Sequence, residues 1–338
     1  MAQNIANSGP AGPATSVSGL VANGVPLISS GGAPFFSGNW YFCDAANGSD
    51  GNSGANGFPV QTLAQAYSLT TSGHNDVVVL VGNGGTGATQ RLSTTLTWSN
   101  NATHLVGMTA PTLISQRARI APPTTATTNI TPLIAVTGSG CYFANFSIFQ
   151  GVGQASTDEQ MMTVAGSRNA FVGIDFEGMG HANGAARAGS YIVSLSGGEN
   201  TFANCNFGVE TIQRSAANAS LFFAGGASPQ RNNFQNCTFM MAASATSPMF
   251  IDMSTANCLN GGSTTFRNCL FQNLTGVSGA SNPAVVATLN AAINGVVVMD
   301  QCTTNATKWA AATTQMIVSG YAIGNGFSSG VFATAANS

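Results

Sequence analysis

Two carboxylates stand either side of Phe176 in the stretch FVGIDFEGMG, namely Asp175 and Glu177. In a strand with Phe176 turned inward, alternation places both acids on the outer face. Residues two apart on a strand are about 7 Å apart, a separation that suits the acid and base of an inverting glycosidase. Catalysis of that kind also needs other titratable groups converging on the pair. The equivalent positions of the following repeats are Asn206 and Gly208, then Thr238 and Met240, so no arginine, lysine or third acid is expected beside them. Asp158 and Glu159, in GQASTDEQ, read as a solvated turn. His74 and His104 lack a Ser or Cys and an acid at triad spacing. GNGGTG at 82–87 lacks the Lys-Ser/Thr of a phosphate loop and reads as a turn that ends a strand. Trp40, Tyr41 and Trp98 are the only aromatic group expected on the outer surface, too few for a sugar platform.

A second oxygen-rich stretch, NWYFCDAANGSDGNSG at 39–54, invites a calcium reading through Asp44 and Asp50. Tested as a calcium loop starting at Asp50, it has Ala55 where glycine is required and Gln61 where glutamate is required. No metal and no cofactor is expected. The 7 cysteines follow neither CxxC nor zinc-ligand spacing, which points to a reducing compartment.

These residues are carried by a repeat. Phe-x-Asn-Cys-x-Phe occurs as FANCNF at 202–207, FQNCTF at 234–239 and FRNCLF at 266–271, with looser copies at 143–148, 171–176 and 299–304. An apolar run precedes each copy: LIAV, MMTV, YIVSL, SLFFA, MFIDM and AVVATL. Short strands joined by Gly, Asn and Ser turns, with no helical periodicity, define a parallel β-solenoid whose turns stack at about 4.8 Å. Both Phe and the Cys of the motif point inward, and the Asn sits at the bend. Asn145, Asn204, Asn236 and Asn268 then form a stacked amide ladder, broken where Gly173 and Gln301 replace Asn. Cys205, Cys237, Cys269 and Cys302 share one position and read as small buried hydrophobes. A redox or metal array would need histidine among them.

The segment WYFCDAANGSDGNSGANGFPVQTLAQAYSL, followed by NDVVVLVGNG, resembles the lead-in of pectate-lyase-like right-handed parallel β-helix proteins. The matching residues are Gly48, Ser49, Asp50 and Gly54 in the loop, Pro59, Thr62, Leu63 and Ala66 in the following helix, and Asp76 to Gly82 in the next strand. THLVGMTAPT at 103–112 resembles the first full turn. The resemblance covers residues 39–305 and implies an all-β, right-handed, single-stranded parallel β-helix of six to eight turns. A helix at 60–70 would cap it, using Leu63, Ala66, Tyr67 and Leu69 to cover the open end of the core. Residues 1–38 read as an extended attachment arm and 306–338 as a C-terminal cap or inter-subunit tail. Lyases of this fold use acids to hold calcium and a basic residue to abstract a proton, and its glycosidases use paired carboxylates.

Composition narrows the function. Only 6% of residues are charged, and 9 basic against 11 acidic residues leave a net charge of -2. Nucleic-acid binding requires a basic stripe that this chain lacks. No run of about 18 apolar residues exists to span a membrane, and the N-terminus has no secretory n- or h-region. A surface of Gly, Ala, Ser, Thr and Asn suits burial against partner subunits. The expectation is a non-enzymatic structural protein of a bacteriophage virion, made in the host cytoplasm: a capsid decoration (cement) protein. It would be a homo-oligomer, with a trimer favoured, held to capsid or tail proteins through residues 1–38. The alternatives are a tailspike-like polysaccharide depolymerase or lyase, and a tail adhesin that binds a host surface glycan.

Overall fold

One backbone conformation recurs once per turn of the chain. Asn145, Gly173, Asn204, Asn236, Asn268 and Gln301 all have φ between 53° and 60°. Asparagine tolerates this left-handed geometry better than other residues with a side chain, and glycine adopts it freely. At each of these residues the chain turns a corner between two strands. In Phe202–Phe207, for example, Asn204 separates Thr201–Ala203 from Asn206–Phe207.

The computed structural model describes residues 21–22, 25–26 and 36–319, except 113, 116, 155–157, 226–228, 260, 275–280 and 311–314. Most of the expected arm, and residues 320–338, lie outside the described residues. Val21–Ala22 pairs antiparallel with Val25–Pro26 in a separate two-stranded sheet. The described residues from 36 on form a right-handed parallel β-helix with three sheets, here called first, second and third in chain order within a turn. The first sheet has 10 strands, from Trp40–Cys43 to Met316–Ser319. The second runs from Gln90–Arg91 to Thr303–Thr304. The third has 8 strands, from Leu96–Trp98 to Lys308–Ala310, and takes in the six apolar runs that precede the repeats. Within each sheet, strands pair in parallel with the equivalent strand of the adjacent turn.

That register stacks like residues. Phe143, Phe171, Phe202, Phe234 and Phe266 form one column with ring centroids 4.9, 4.5, 4.8 and 4.5 Å apart. Phe176, Phe207, Phe239 and Phe271 form a second, at 4.8, 4.6 and 4.7 Å. The columns meet at steep angles, as with Phe234 and Phe239 at 6.2 Å and 59°. All these rings are buried. Beside them Cys205, Cys237, Cys269 and Cys302 are buried free thiols. Each directs its Sγ to a phenylalanine carbonyl of the preceding turn, at 3.3 to 3.6 Å.

The corner asparagines Asn204, Asn236 and Asn268 are exposed, and Asn236 donates to Asn204 Oδ1 at 3.3 Å. Asn145 instead donates to the carbonyls of Gly107 and Thr109. A buried amide ladder exists elsewhere, at the opposite end of the first-sheet strands. The Oδ1 atoms of Asn169, Asn200 and Asn232 accept from the backbone N–H groups of Cys141, Asn169 and Asn200, at 2.8, 2.9 and 2.8 Å. Their amide nitrogens donate to the carbonyls of Gly138, Gly166 and Gly197. Each side chain therefore satisfies one donor and one acceptor of a corner that lacks sheet partners.

The N-terminal end of the core is closed by the helix Leu63–Ser68. Leu63 and Ala66 are buried, and Tyr67 and Leu69 pack against the same core. Thr62 caps the helix by accepting from Gln65 N–H. Trp98, expected on the outer surface, is fully buried under this cap, with its ring 4.4 Å from Tyr67 and 5.4 Å from Phe143. The third-sheet strand Leu96–Trp98 alternates in, out, in, which turns Trp98 to the core.

The two kinds of asparagine differ in what their removal leaves behind. Asn200→Ala strands the Asn169 N–H and the Gly166 carbonyl in the interior, a loss of about 2–5 kcal/mol. Asn236→Gly keeps the corner conformation and changes stability by less than about 1 kcal/mol. Urea unfolding followed by circular dichroism measures both, and equal losses would refute the distinction.

Candidate functional site

Asp175 and Glu177 lie on the second-sheet strand Asp175–Glu177, with Phe176 inward between them. In-register pairing places Arg119, Ser147, Asp175 and Asn206 in one outward column over four successive turns. An arginine thus does join the acids, contrary to the reading from the repeats. Arg119 precedes the first recognisable copy of the motif, so no repeat spacing points to it.

The acids occupy different environments. Asp175 is fully buried: its Oδ1 accepts from Asn206 Nδ2 at 2.6 Å, and its Oδ2 from the Ser115 N–H at 2.8 Å. Burial, reinforced by the charge of Glu177, pushes its pKa up to about 7, although the two hydrogen bonds favour the carboxylate. Glu177 is partly open to solvent; it accepts from Ser147 Oγ at 2.5 Å and stands 3.8 Å from Arg119 Nη2. An acid with a raised pKa beside a second carboxylate, with an arginine next to the latter, is a set that can donate and accept protons. The backbone at Ser115 covers Asp175, so Glu177 is the acid that faces outward.

The metal candidates serve the lead-in loop. Asp44 Oδ1 accepts from the Ala46 and Asn47 N–H groups, and its Oδ2 from Asn47 Nδ2. Burial would raise its pKa, but those hydrogen bonds hold it below the usual value. Asp50 accepts from the N–H groups of Gln61 and Thr62 at 2.8 Å each, and from Thr62 Oγ1 at 2.9 Å. It clamps the residue that caps the helix. Both carboxylates face donors rather than the oxygen acceptors that would share a cation.

The turn GQASTDEQ is not simply solvated. Asp158 pairs with Arg187 at 2.8 Å, while Glu159 is fully buried. Glu159 Oε1 accepts from the Met179 N–H, and Oε2 lies against Gly184. Burial pushes the Glu159 pKa up to about 8. A DEQ triplet at the mouth of a strand gives no sign that its middle residue turns inward. His104 is also inside, accepting from the Tyr142 N–H at Nδ1, and burial lowers its pKa to about 4. His74 Nδ1 meets Asp76 at 2.7 Å, and Asp76 also accepts from the Asn39 and Thr71 N–H groups, tying the start of the first sheet together. On the third sheet, Tyr191 stacks on Phe222 at 4.3 Å and bonds Asp252 at 3.2 Å. The sequence reading passed over this cluster because its members come from three different turns.

No family model matches this chain, and no curated protein matches it by sequence. Solved structures match its fold. Pectate lyase Pel9A aligns with a TM-score of 0.54 and 13% identity over 86% of this chain and 78% of that one. Pectin methylesterase PemA from Erwinia chrysanthemi aligns at 0.55 and 14% over 88% and 92%. A Geobacillus virus E2 protein, ORF18, aligns at only 0.41 and 10% and carries no argument. The shared feature is the pectate-lyase-type parallel β-helix. The expectation that the chain is not an enzyme is corrected here. Both neighbours above are enzymes, and the reason for setting Asp175 and Glu177 aside, the lack of a cation beside them, fails at Arg119.

The raised pKa of Asp175 has a sign that can be measured. Between its unfolded value of 3.8 and about 7 the folded chain holds the extra proton, so stability falls as pH rises through that window. The gap corresponds to at most about 4 kcal/mol. Asp175→Asn removes this slope, so relative to the parent the variant gains melting temperature at pH 8 over pH 4. An identical difference at both pH values would show that Asp175 titrates like an exposed aspartate.

Proposed function

We propose that this chain is a structural protein of a bacteriophage virion, a decoration protein that assembles as a homo-oligomer on the particle surface, with a trimer as the assembly. The observation that carries this reading is how the solenoid disposes of its few charges. Arg168 and Arg231 both bind Glu199, at 2.6 Å each, across three turns. Arg267 binds Asp300 and Arg187 binds Asp158, each pair bridging neighbouring turns at 2.8 Å. With these charges neutralised along the rod, the remaining outer surface is largely threonine, serine, alanine and asparagine. Such faces pack side by side without the desolvation penalty that unpaired charges impose. Residues 1–38 supply the attachment arm in this reading. Light scattering coupled to size exclusion should give a mass three times that of the chain. Immunogold labelling of particles should decorate the capsid. A monomer, or label confined to a tail tip, would refute the decoration reading.

A second reading is favoured by the buried Asp175, its pKa raised, beside Glu177 and Arg119: action on a polysaccharide, the class of polymer that the names of the two fold neighbours indicate. In this reading Glu177 meets the substrate and Asp175 tunes it. Turnover of host capsule or lipopolysaccharide, read by reducing-end release, should then fall by about 100-fold or more in Glu177→Gln. Activity that persists in this variant would remove the pair from the reaction.

A further inference from the structure

Most arginines of the described solenoid have a matched acid, and Arg214 is enclosed by the side chains of Asn218 and Ser220 and the Met249 carbonyl. Arg91 is different. It pairs in register with Ala121 at the N-terminal end of the second sheet, with its side chain outward and exposed. Nη1 donates to the Pro122 carbonyl at 2.8 Å, and no acid among the described residues forms an ion pair with it. Burial of part of the side chain and the like charge of Arg119 both lower its pKa. Arg119 itself keeps a buried Nε without a partner. Arg119 has Glu177 at 3.8 Å to offset its charge, so of these two guanidinium groups Arg91 is the one that no acid matches.

Arg91 is also a common wall of three adjoining cavities of about 250, 410 and 280 Å³. The first combines Arg91 and Thr124 with an apolar floor limited to Phe149 and Pro123, Pro122 and Val152 being buried. Phe149 is gripped between Gly151 and Gly180, where an added Cβ would come within 2.5 Å of its ring. The other two cavities are walled by hydroxyls, including Thr94 and Thr124.

We propose that this trough binds an extended acidic peptide segment of another protein. A carboxylate of the peptide pairs with Arg91, a neighbouring apolar side chain rests on Phe149 and Pro123, and the peptide backbone runs along the threonine hydroxyls. The apolar floor selects this ligand over a free anion, which has no use for it, and the unpaired guanidinium selects it over a neutral chain. The site stands whether or not the chain belongs to a particle.

Fluorescence anisotropy with a labelled peptide of alternating Asp and Leu tests the assignment. It should bind, lose affinity as salt rises, and bind about tenfold more weakly to Arg91→Gln. Arg168→Gln, which removes a charge elsewhere, should bind as the parent does. Circular dichroism certifies that each variant is folded; if Arg91→Gln is not, Arg91→Lys, which retains charge but loses the fork, should weaken binding in the same direction. Equal affinity for the Asn–Leu counterpart would overturn the proposal. So would parental binding by both Arg91 variants, or displacement of the peptide by inorganic phosphate or a hexuronate trisaccharide at matching concentration.

Discussion

Parallel strands stacked in register force every side chain to sit directly above its counterpart, about 4.8 Å away. The rest of this structure follows from meeting that demand. Flat rings tolerate the spacing well: Phe171 and Phe202 lie nearly parallel, 6° apart, with centroids separated by 4.5 Å, inside the range favoured by aromatic pairs. Thiols tolerate it because each has a carbonyl below it to receive its proton. Amides tolerate it when oxygen and nitrogen each reach a different backbone group, as in the Asn169–Asn200–Asn232 ladder. Like charges do not tolerate it. Where arginine and glutamate occur at one edge they alternate, and Glu199 between Arg168 and Arg231 is the clearest instance.

The same demand shapes the candidate site. A column of like acids cannot be stacked, so Asp175 is followed by Asn206, which donates to it, and preceded by Ser147, whose hydroxyl turns to Glu177. Arg119 completes the run one turn earlier. Burial raises the pKa of the acid with no outlet to solvent, while the acid at the surface keeps Ser147 and Arg119 as neighbours.

Most of the fold was legible because the repeat fixes which residues are equivalent. Phe-x-Asn-Cys-x-Phe showed the inward positions and the corner, and the lead-in segment showed the capping helix, observed at Leu63–Ser68 inside the expected 60–70. Other features were hidden for physical reasons. The corner residue is selected by backbone conformation: Gly173 adopts it freely, while Gln301 holds the same φ without asparagine's tolerance for it. The buried amide ladder lies at a fixed offset, with Asn169, Asn200 and Asn232 each two residues before the first Phe of a motif copy. Cys141 and Thr264 hold that position in the flanking copies, however, and nothing in the spacing shows that the amide turns inward to the backbone. Arg119 stands in a turn without the motif, and the tight packing of Glu159 against Gly184 depends on residues far apart in sequence. Patterns along a chain show which face a residue takes, but not what crosses over that face from the next turn.

The left-handed corner has a consequence beyond this one molecule. Because each turn ends in the same conformation and presents the same ring, thiol and corner to its successor, the register is renewed at every turn rather than inherited from the ends. Phe202 and Phe266 have the same relation to their own turns as Phe234 has to its turn. A rod of this kind has no intrinsic length. Gain or loss of one whole turn leaves every column continuous, so the reach of the solenoid can change in a single genetic step while its cross-section, cap and surface chemistry remain the same.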